Sequence, residues 1–230
     1  MLKDLKAVFF DLDNTLWNFS RNSISALEKL YNNELKDYFE ECKKEIFIRT
    51  YEKYNNIFWE EYKKGNIDVE KLKIERFLKT FEELKIDVRN YDEMNEIYLD
   101  ILAEENILIE SALDILLYVK EKYYLGILTN GFYNTQIKKM KNSGIYDYVE
   151  LLVASDEVGI VKPNKEIFDY AAKKSGFDNN QILYVGDEYA TDVVGSINAG
   201  FQCIWFNRNN EKVPENVSAI SCLEELKEYI

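Results

Sequence analysis

Histidine is absent from all 230 residues. That one gap removes Ser-His-Asp and Cys-His hydrolases, histidine phosphatases and imidazole-ligated metal sites. Chemistry must rest on carboxylates, lysine, hydroxyls and the backbone. Cysteine is nearly as scarce. Cys42, Cys203 and Cys222 form an odd set without a C-x-x-C pair, so neither a thiolate zinc site nor a disulfide framework is expected, and a reducing cytoplasm fits best. Positive charge is in deficit: 29 Lys and Arg stand against 42 Asp and Glu, a formal charge of -13. That balance opposes binding to nucleic acid polymers and anionic membranes and leaves small molecules as the expected partners. Long apolar runs are missing as well. Asp4 and Lys6 precede a run of only four apolar residues, too short for a signal segment or a membrane span, so a soluble protein is expected. There is no P-loop and no G-x-G-x-x-G fingerprint, so a nucleotide is not supported as cofactor. No tandem repeat or low-complexity segment occurs.

What is present begins with KAVFFDLDNTL, residues 6 to 16. Four unbroken apolar residues of strand-forming type predict a parallel strand buried on both faces, and Asp11 and Asp13 fall just past its carboxyl end. Ligands of open α/β sheets bind at such ends. A strand followed by an Asx-type turn is the competing reading of this stretch taken alone. With 47% hydrophobic residues the chain can bury a sizeable core, and its length suits one α/β core carrying an insertion.

From about Trp17 to Asn106 the composition turns to Lys, Glu, Asn and Tyr with helical periodicity. Four helices are predicted over about 23 to 33, 36 to 63, 69 to 84 and 91 to 104, with Asp68 as an N-cap. In the second, Phe47, Tyr51, Tyr54, Phe58 and Tyr62 make an aromatic stripe, read as core packing or as a substrate-stacking wall. From Leu108 onward short apolar strands alternate with helices, which predicts a parallel, doubly wound sheet. Ser111 with Asp114 reads as a capping box for a helix to about Lys122. Strands follow at about 125 to 129, 149 to 154, 182 to 186 and 202 to 206. The helices between them are expected to end at Gly144, Gly176 and Gly200, where left-handed residues are needed. Ser221 and Glu224 read as a second capping box.

Three more strand ends carry polar groups: Thr129-Asn130-Gly131, Lys162-Pro163 after the third strand, and Gly186-Asp187-Glu188 with Asp192 five residues beyond Asp187. Together with Asp11-x-Asp13-x-Thr15, these resemble the four motifs of the haloacid dehalogenase-like hydrolases, in order. The resemblance implies a Rossmann-like core of residues 1–17 and 106–230 with a helical cap of residues 18–105. It further implies a phosphatase working through an aspartyl phosphate, with Asp11 as nucleophile and Asp13 as acid and base. Neighbouring anions are expected to raise the Asp13 pKa. Lys162 is the only cation in these motifs, and each like-charge pair at about 4 Å costs ~4 kcal/mol at an effective dielectric near 20, so a divalent cation is required. Mg²⁺ suits the oxygen-only set of Asp11, Asp187, Asp192 and the Asp13 backbone carbonyl. Thr129 and the Asn130 amide are expected to hold phosphoryl oxygens, Lys162 to neutralise charge on them, and Pro163 to force Lys162 into an extended conformation.

Residues 124 to 207, notably LGILTNGFYNTQ, SDEVGIVKPNKEIFDYA and VGDEYATDVVGSINAGFQCIWFN, resemble the bacterial pyrimidine nucleotide 5'-nucleotidases. That implies a nucleoside 5'-monophosphate as substrate, with Trp17, Phe19 and part of the aromatic stripe available to stack on a base. Glu110-Ser111 stands where relatives often carry Pro-Gly. The alternatives are phosphoglycolate, glyceraldehyde 3-phosphate or sugar phosphates as substrates, and, less fittingly, a phosphomutase or a 2-haloacid dehalogenase.

Overall fold

The computed structural model describes residues 4–39, 43–88 and 90–230. Its first strand, β1 (Ala7–Phe10), is wholly buried, as the uninterrupted apolar run requires. Four helices follow: α1 (Phe19–Leu30), α2 (Lys44–Lys63), α3 (Val69–Leu84) and α4 (Tyr91–Glu104). Then come α5 (Ala112–Lys120), β2 (Tyr124–Thr129), α6 (Tyr133–Asn142), β3 (Leu151–Ala154) and the one-turn α7 (Ser155–Val158). The chain continues through α8 (Lys165–Ser175), β4 (Ile182–Gly186), α9 (Val194–Ala199), β5 (Gln202–Phe206) and β6 (Ser218–Ile220). The six strands pair in the order β3-β2-β1-β4-β5-β6, all parallel. This is the doubly wound α/β sheet expected from the sequence, with β6 as an additional edge. Strand β6 escaped notice because three residues, two of them small and one exposed, carry too little pattern.

Strand β1 sits between β2 and β4, so the direction of winding reverses at it. A crevice opens at such a switch point beyond the strand carboxyl ends, and side chains just past β1 are the ones best placed to use it. Contacts divide the chain into two compact units, Met1–Phe19 with Asn106–Ile230 and Ser20–Glu105.

Within the helical unit, α3 and α4 have the predicted bounds, and the Asp68 side chain accepts from the Lys71 N–H at 2.8 Å, the expected cap. The second helix starts later than expected. Residues Tyr31–Leu35 continue α1 as a π turn, Lys36–Tyr38 form one 3₁₀ turn, and Phe39 is extended, which ends the run. Residues 40–42, including Cys42, lie outside the described residues; Cys203 and Cys222 are free. Of the aromatic stripe, Phe47 and Tyr51 are core, and Tyr51 packs on Phe77 and Tyr98 with ring centroids 4.7 and 5.2 Å apart. Tyr54, Phe58 and Tyr62 are half-buried. No helix among the described residues is long and apolar enough to cross a membrane.

Both expected capping boxes fail. Ser111 stands before α5 in the left-handed region at φ 62° and makes no side-chain cap bond; this is a backbone state that glycine adopts at lower cost. Ser221 bonds Glu225 instead of Glu224, with Oγ to Oε1 at 2.7 Å, and the final turn Leu223–Glu228 is 3₁₀. Gly144, Gly176 and Gly200 do take positive φ at the predicted helix ends.

Gly126 on β2 lies opposite Phe9 of β1, and a Cβ there would stand 2.3 Å from the Phe9 ring. Phe9 is fully enclosed by a cluster that includes Leu128, Phe168 and Tyr184, so it cannot yield cheaply. Gly126→Ala is expected to cost about 1–3 kcal/mol. Urea unfolding should show a lower midpoint with an unchanged slope.

Candidate active site

The β1 ladder runs one residue past the strand, where the Asp11 N–H donates to the Val185 carbonyl at 2.9 Å. Beyond it the backbone closes on itself. The Leu16 and Trp17 N–H groups both donate to the Leu12 carbonyl, at 3.0 and 2.8 Å, and the Asn14 N–H donates to the Trp17 carbonyl at 2.7 Å. Asn14 takes φ 63°, a conformation asparagine tolerates better than most residues. The side chains of Asp11, Asp13 and Thr15 are thereby fixed at the switch point.

Lys162 organises one side of this loop. Its ammonium, 2% exposed, donates to Asp11 Oδ1 at 2.7 Å, Asp192 Oδ1 at 2.7 Å and the Tyr184 hydroxyl at 2.8 Å, which uses all three protons. The Tyr184 hydroxyl in turn donates to the Leu128 carbonyl at 2.8 Å. Asn130 locks the segment that carries the lysine: its Oδ1 accepts from the Lys162 N–H at 2.8 Å and its Nδ2 donates to the Lys162 carbonyl at 3.1 Å. The Lys162-Pro163 peptide is cis. Asp192 Oδ2 accepts from the Glu188 N–H at 3.0 Å, and a Cβ at residue 186 would come within 2.4 Å of that carboxylate. The glycine before Asp187 therefore makes room for Asp192.

Asp187 completes an acidic group. Its Oδ1 accepts from the Thr15 hydroxyl at 3.2 Å, and its carbonyl accepts from Trp205 Nε1 at 2.9 Å. One carboxylate oxygen from each of Asp11, Asp187 and Asp192 lies within 4.8 Å of the others. Burial, followed by the charge of Asp192, pushes the Asp187 carboxyl from 3.8 up to about 7. Burial also drives Asp11 well above the carboxylate range; Lys162 opposes the shift, and Asp192 and Asp187 add to it. For Lys162, burial acts to lower the pKa, but Asp11 and Asp192 outweigh it, so the ammonium is held well above its ordinary value.

Asp13 lies in different surroundings. Anionic neighbours were expected; the structure sets a second cation there. Lys139, 3% exposed, donates to both Asp13 oxygens at 2.8 and 3.1 Å. Gln136 Nε2 donates to Asp13 Oδ2 and to Thr129 Oγ1, each at 2.9 Å. Thr129 Oγ1 also accepts from the Gly131 N–H at 3.0 Å. Trp17, expected as a stacking surface, is fully buried with its ring 4.4 Å from the Lys139 ammonium.

Gln136, Lys139 and Tyr184 are the site neighbours that sequence reasoning missed. Tyr184 left a signal, being the one residue with a polar tip in an otherwise apolar strand, which demands a partner when buried. Gln136 and Lys139 share a face of α6 at a spacing of three. Lysines also stand at 138 and 141, and only packing distinguishes them.

A model of the haloacid dehalogenase-like hydrolases matches residues 5–200. The chain belongs to that family. Among curated relatives of this hydrolase, the pyrimidine 5'-nucleotidase YjjG of Escherichia coli is 34% identical over 97% of this chain and 96% of its own. The glyceraldehyde 3-phosphate phosphatase of Methanothermobacter thermautotrophicus is 33% identical over 47% of this chain and 51% of its own. Among solved structures, the HAD-hydrolase YfnB of Bacillus subtilis, crystallised bound to magnesium, superposes with TM-score 0.87 at 25% identity over 98% of both chains. The chain is thus a phosphoric monoester hydrolase of the haloacid dehalogenase-like family.

The acidic group makes stability depend on pH without metal. A carboxyl whose folded pKa lies at about 7 against 3.8 is accommodated while protonated, and its favourable contribution is lost as pH rises through about 7. In EDTA, the Tm of the protein should therefore fall relative to that of Asp187→Asn between pH 5 and pH 8. A gap that stays constant or closes over that range contradicts this electrostatic account.

Proposed function

We propose that this hydrolase cleaves a small phosphomonoester through an aspartyl phosphate on Asp11, with Asp13 as acid and base, and that its substrate is a nucleoside 5'-monophosphate, pyrimidine ones first. The observation that carries the mechanism is the unlike surroundings of two carboxylates two residues apart: Asp11 joins buried Asp192 through Lys162, whereas Asp13 is held by Lys139 and Gln136. Two neighbouring carboxylates in contrasting environments suit two roles; burial raises the Asp11 carboxyl, and a divalent cation bound beside it would favour the ionised form that attack requires. The assignment of residues 1–17 and 106–230 as catalytic core and 18–105 as cap belongs to the same reading.

In the first step Asp11 attacks phosphorus as the bond to the leaving oxygen breaks, and Asp13 gives that oxygen its proton. In the second, water attacks the aspartyl phosphate, Asp13 takes the proton, and Asp11 leaves with inorganic phosphate formed. Both lone pairs of Thr129 Oγ1 are occupied by the N–H groups of Gly131 and Gln136, so its own hydrogen is the one to donate to a phosphoryl oxygen. The Asn130 side chain is engaged with the Lys162 backbone, which leaves its backbone N–H for the phosphoryl group. Lys162 keeps Asp11 and Asp192 together and supplies positive charge next to the reacting carboxylate.

The donor set fits Mg²⁺. Three carboxylates converge with one ammonium among them, a net deficit of two positive charges, and all ligand atoms are oxygens. Asp11, Asp187 and Asp192, with the Asp13 carbonyl, would hold the ion. When bound it would supply charge neutralisation for a dianionic substrate facing these carboxylates.

Likeness to a nucleotidase over nearly the whole chain supports the nucleotide reading. The partial likeness to glyceraldehyde 3-phosphate phosphatases keeps small phosphates as the second. The expected result is that Asp11→Asn lowers turnover at least about a thousandfold with the fold intact, and that excess EDTA abolishes phosphate release. Near wild-type turnover in either case refutes the mechanism. The substrate assignment is checked by kcat/KM for UMP, dTMP, phosphoglycolate and glyceraldehyde 3-phosphate. A small phosphate preferred by more than about tenfold replaces the nucleotide reading.

A further inference from the structure

The face of α6 that carries Gln136 and Lys139 does more than pack. Lys139 is a lysine almost without solvent, and its ammonium has three kinds of neighbour: both oxygens of Asp13, the ring of Trp17 at 4.4 Å and the ring of Phe19 at 5.5 Å. A buried ammonium needs a carboxylate or π faces around it, and here Asp13 and Trp17 come from the loop that follows β1 and Phe19 from the first residue of α1. Gln136, wholly buried, spends one nitrogen on Asp13 and Thr129 together while its Oε1 has no partner. The opposite amide orientation would aim that oxygen at the carboxylate, so the bond to Asp13 fixes the side chain even though the carbonyl goes unsatisfied. A Cβ at residue 131 would stand 2.2 Å from Gln136 Nε2, which shows how closely this side chain is threaded past Gly131 to reach Thr129.

We propose that Lys139 and Gln136 are positioning residues for the reaction: a two-point clamp that holds the Asp13 carboxyl in one orientation while tying it to the Thr129 hydroxyl that faces the phosphoryl group. This rests on the reading of Asp13 as acid and base. Its consequence is specific to proton transfer. Formation of the Asp11–phosphorus bond and departure of the leaving oxygen need the Asp13 proton when that oxygen becomes an alkoxide, and do not need it when it leaves as p-nitrophenolate. Attack of water on the aspartyl phosphate needs Asp13 to take the water proton whatever has left. Mispositioning of a catalytic group by about 1 Å can cost about a hundredfold.

The experiment uses the 230-residue chain with Mg²⁺, three single variants, Lys139→Met, Gln136→Leu and Asp13→Asn, and one double variant. For the first two, the first-turnover rate with a nucleoside 5'-monophosphate should fall tenfold or more, with KM changed less than about threefold. The burst rate of p-nitrophenolate release should stay within about threefold while its steady-state rate falls. Lys139→Met combined with Asp13→Asn should be no slower than Asp13→Asn alone, because the lysine acts through the aspartate. Equal losses in the p-nitrophenolate burst and the alkyl phosphate turnover, or multiplying losses in the double variant, overturn the clamp. So does failure of both Lys139→Met and Gln136→Leu to fold, which would make the pair a part of the scaffold only. Full activity in Asp13→Asn instead refutes the acid-base reading on which the clamp depends.

Discussion

The Lys162 ammonium is the interaction on which the rest of the site depends. Its three protons join the end of β1 through Asp11, the centre of β4 through Tyr184 and the turn after β4 through Asp192, so one buried charge links three separate segments at the sheet edge. Removing carboxylates from water is costly, and their mutual repulsion adds to the cost. Lys162 bonds both Asp11 and Asp192, so each of these buried carboxyls has a cation within hydrogen-bond distance. Its own backbone is pinned by the two hydrogen bonds from Asn130, so the end of β2 fixes where the cation stands.

A second cation divides the loop after β1 into two electrical environments. On one side Asp11 and Asp192 share Lys162, with Asp187 beside them; on the other Asp13 is paired with Lys139. The proposed division of Asp11 and Asp13 into nucleophile and acid-base group rests on such a difference, since the two carboxyls are chemically alike and only their surroundings can separate them. The sheet provides the separation through topology. Strands β2 and β4 flank β1, so the motif after β2 and its helix α6 approach the loop from one side, and the Gly186 turn with Asp187 and Asp192 from the other.

Small residues mark the places where these parts converge. Gly186 leaves space for the Asp192 carboxylate, and Gly131 leaves space for Gln136. Each stands beside a buried polar side chain, and any Cβ there would occupy the volume that side chain needs. In the helical unit a comparable polar arrangement serves packing: buried Arg76 donates to the side chains of Asn55 and Asn95 among Tyr51, Phe77 and Tyr98. A cation at the contact of three helices is held there by amide oxygens and ring faces.

The sequence by itself determined the fold class, the strands from β1 to β5, the bounds of α3 and α4, and which residues stand at the strand ends. Each of these depends on local signals: an apolar run, a helical period, an N-cap such as Asp68, or a glycine where a helix must stop. It also excluded imidazole chemistry, since the composition holds no histidine. Only the tertiary structure decided that Ser111 is left-handed instead of capping, that Tyr31–Leu35 and Lys36–Tyr38 break the helical run, and that Trp17 is enclosed against a lysine. It alone chose Lys139 over Lys138 and Lys141, brought Gln136 to Asp13 across 123 positions of chain, and brought Lys162 to Asp11 across 151. Periodicity records which face of an element is buried, whereas the partner met by a buried polar group is set by contacts between elements distant in sequence, and those exist only once the sheet has formed.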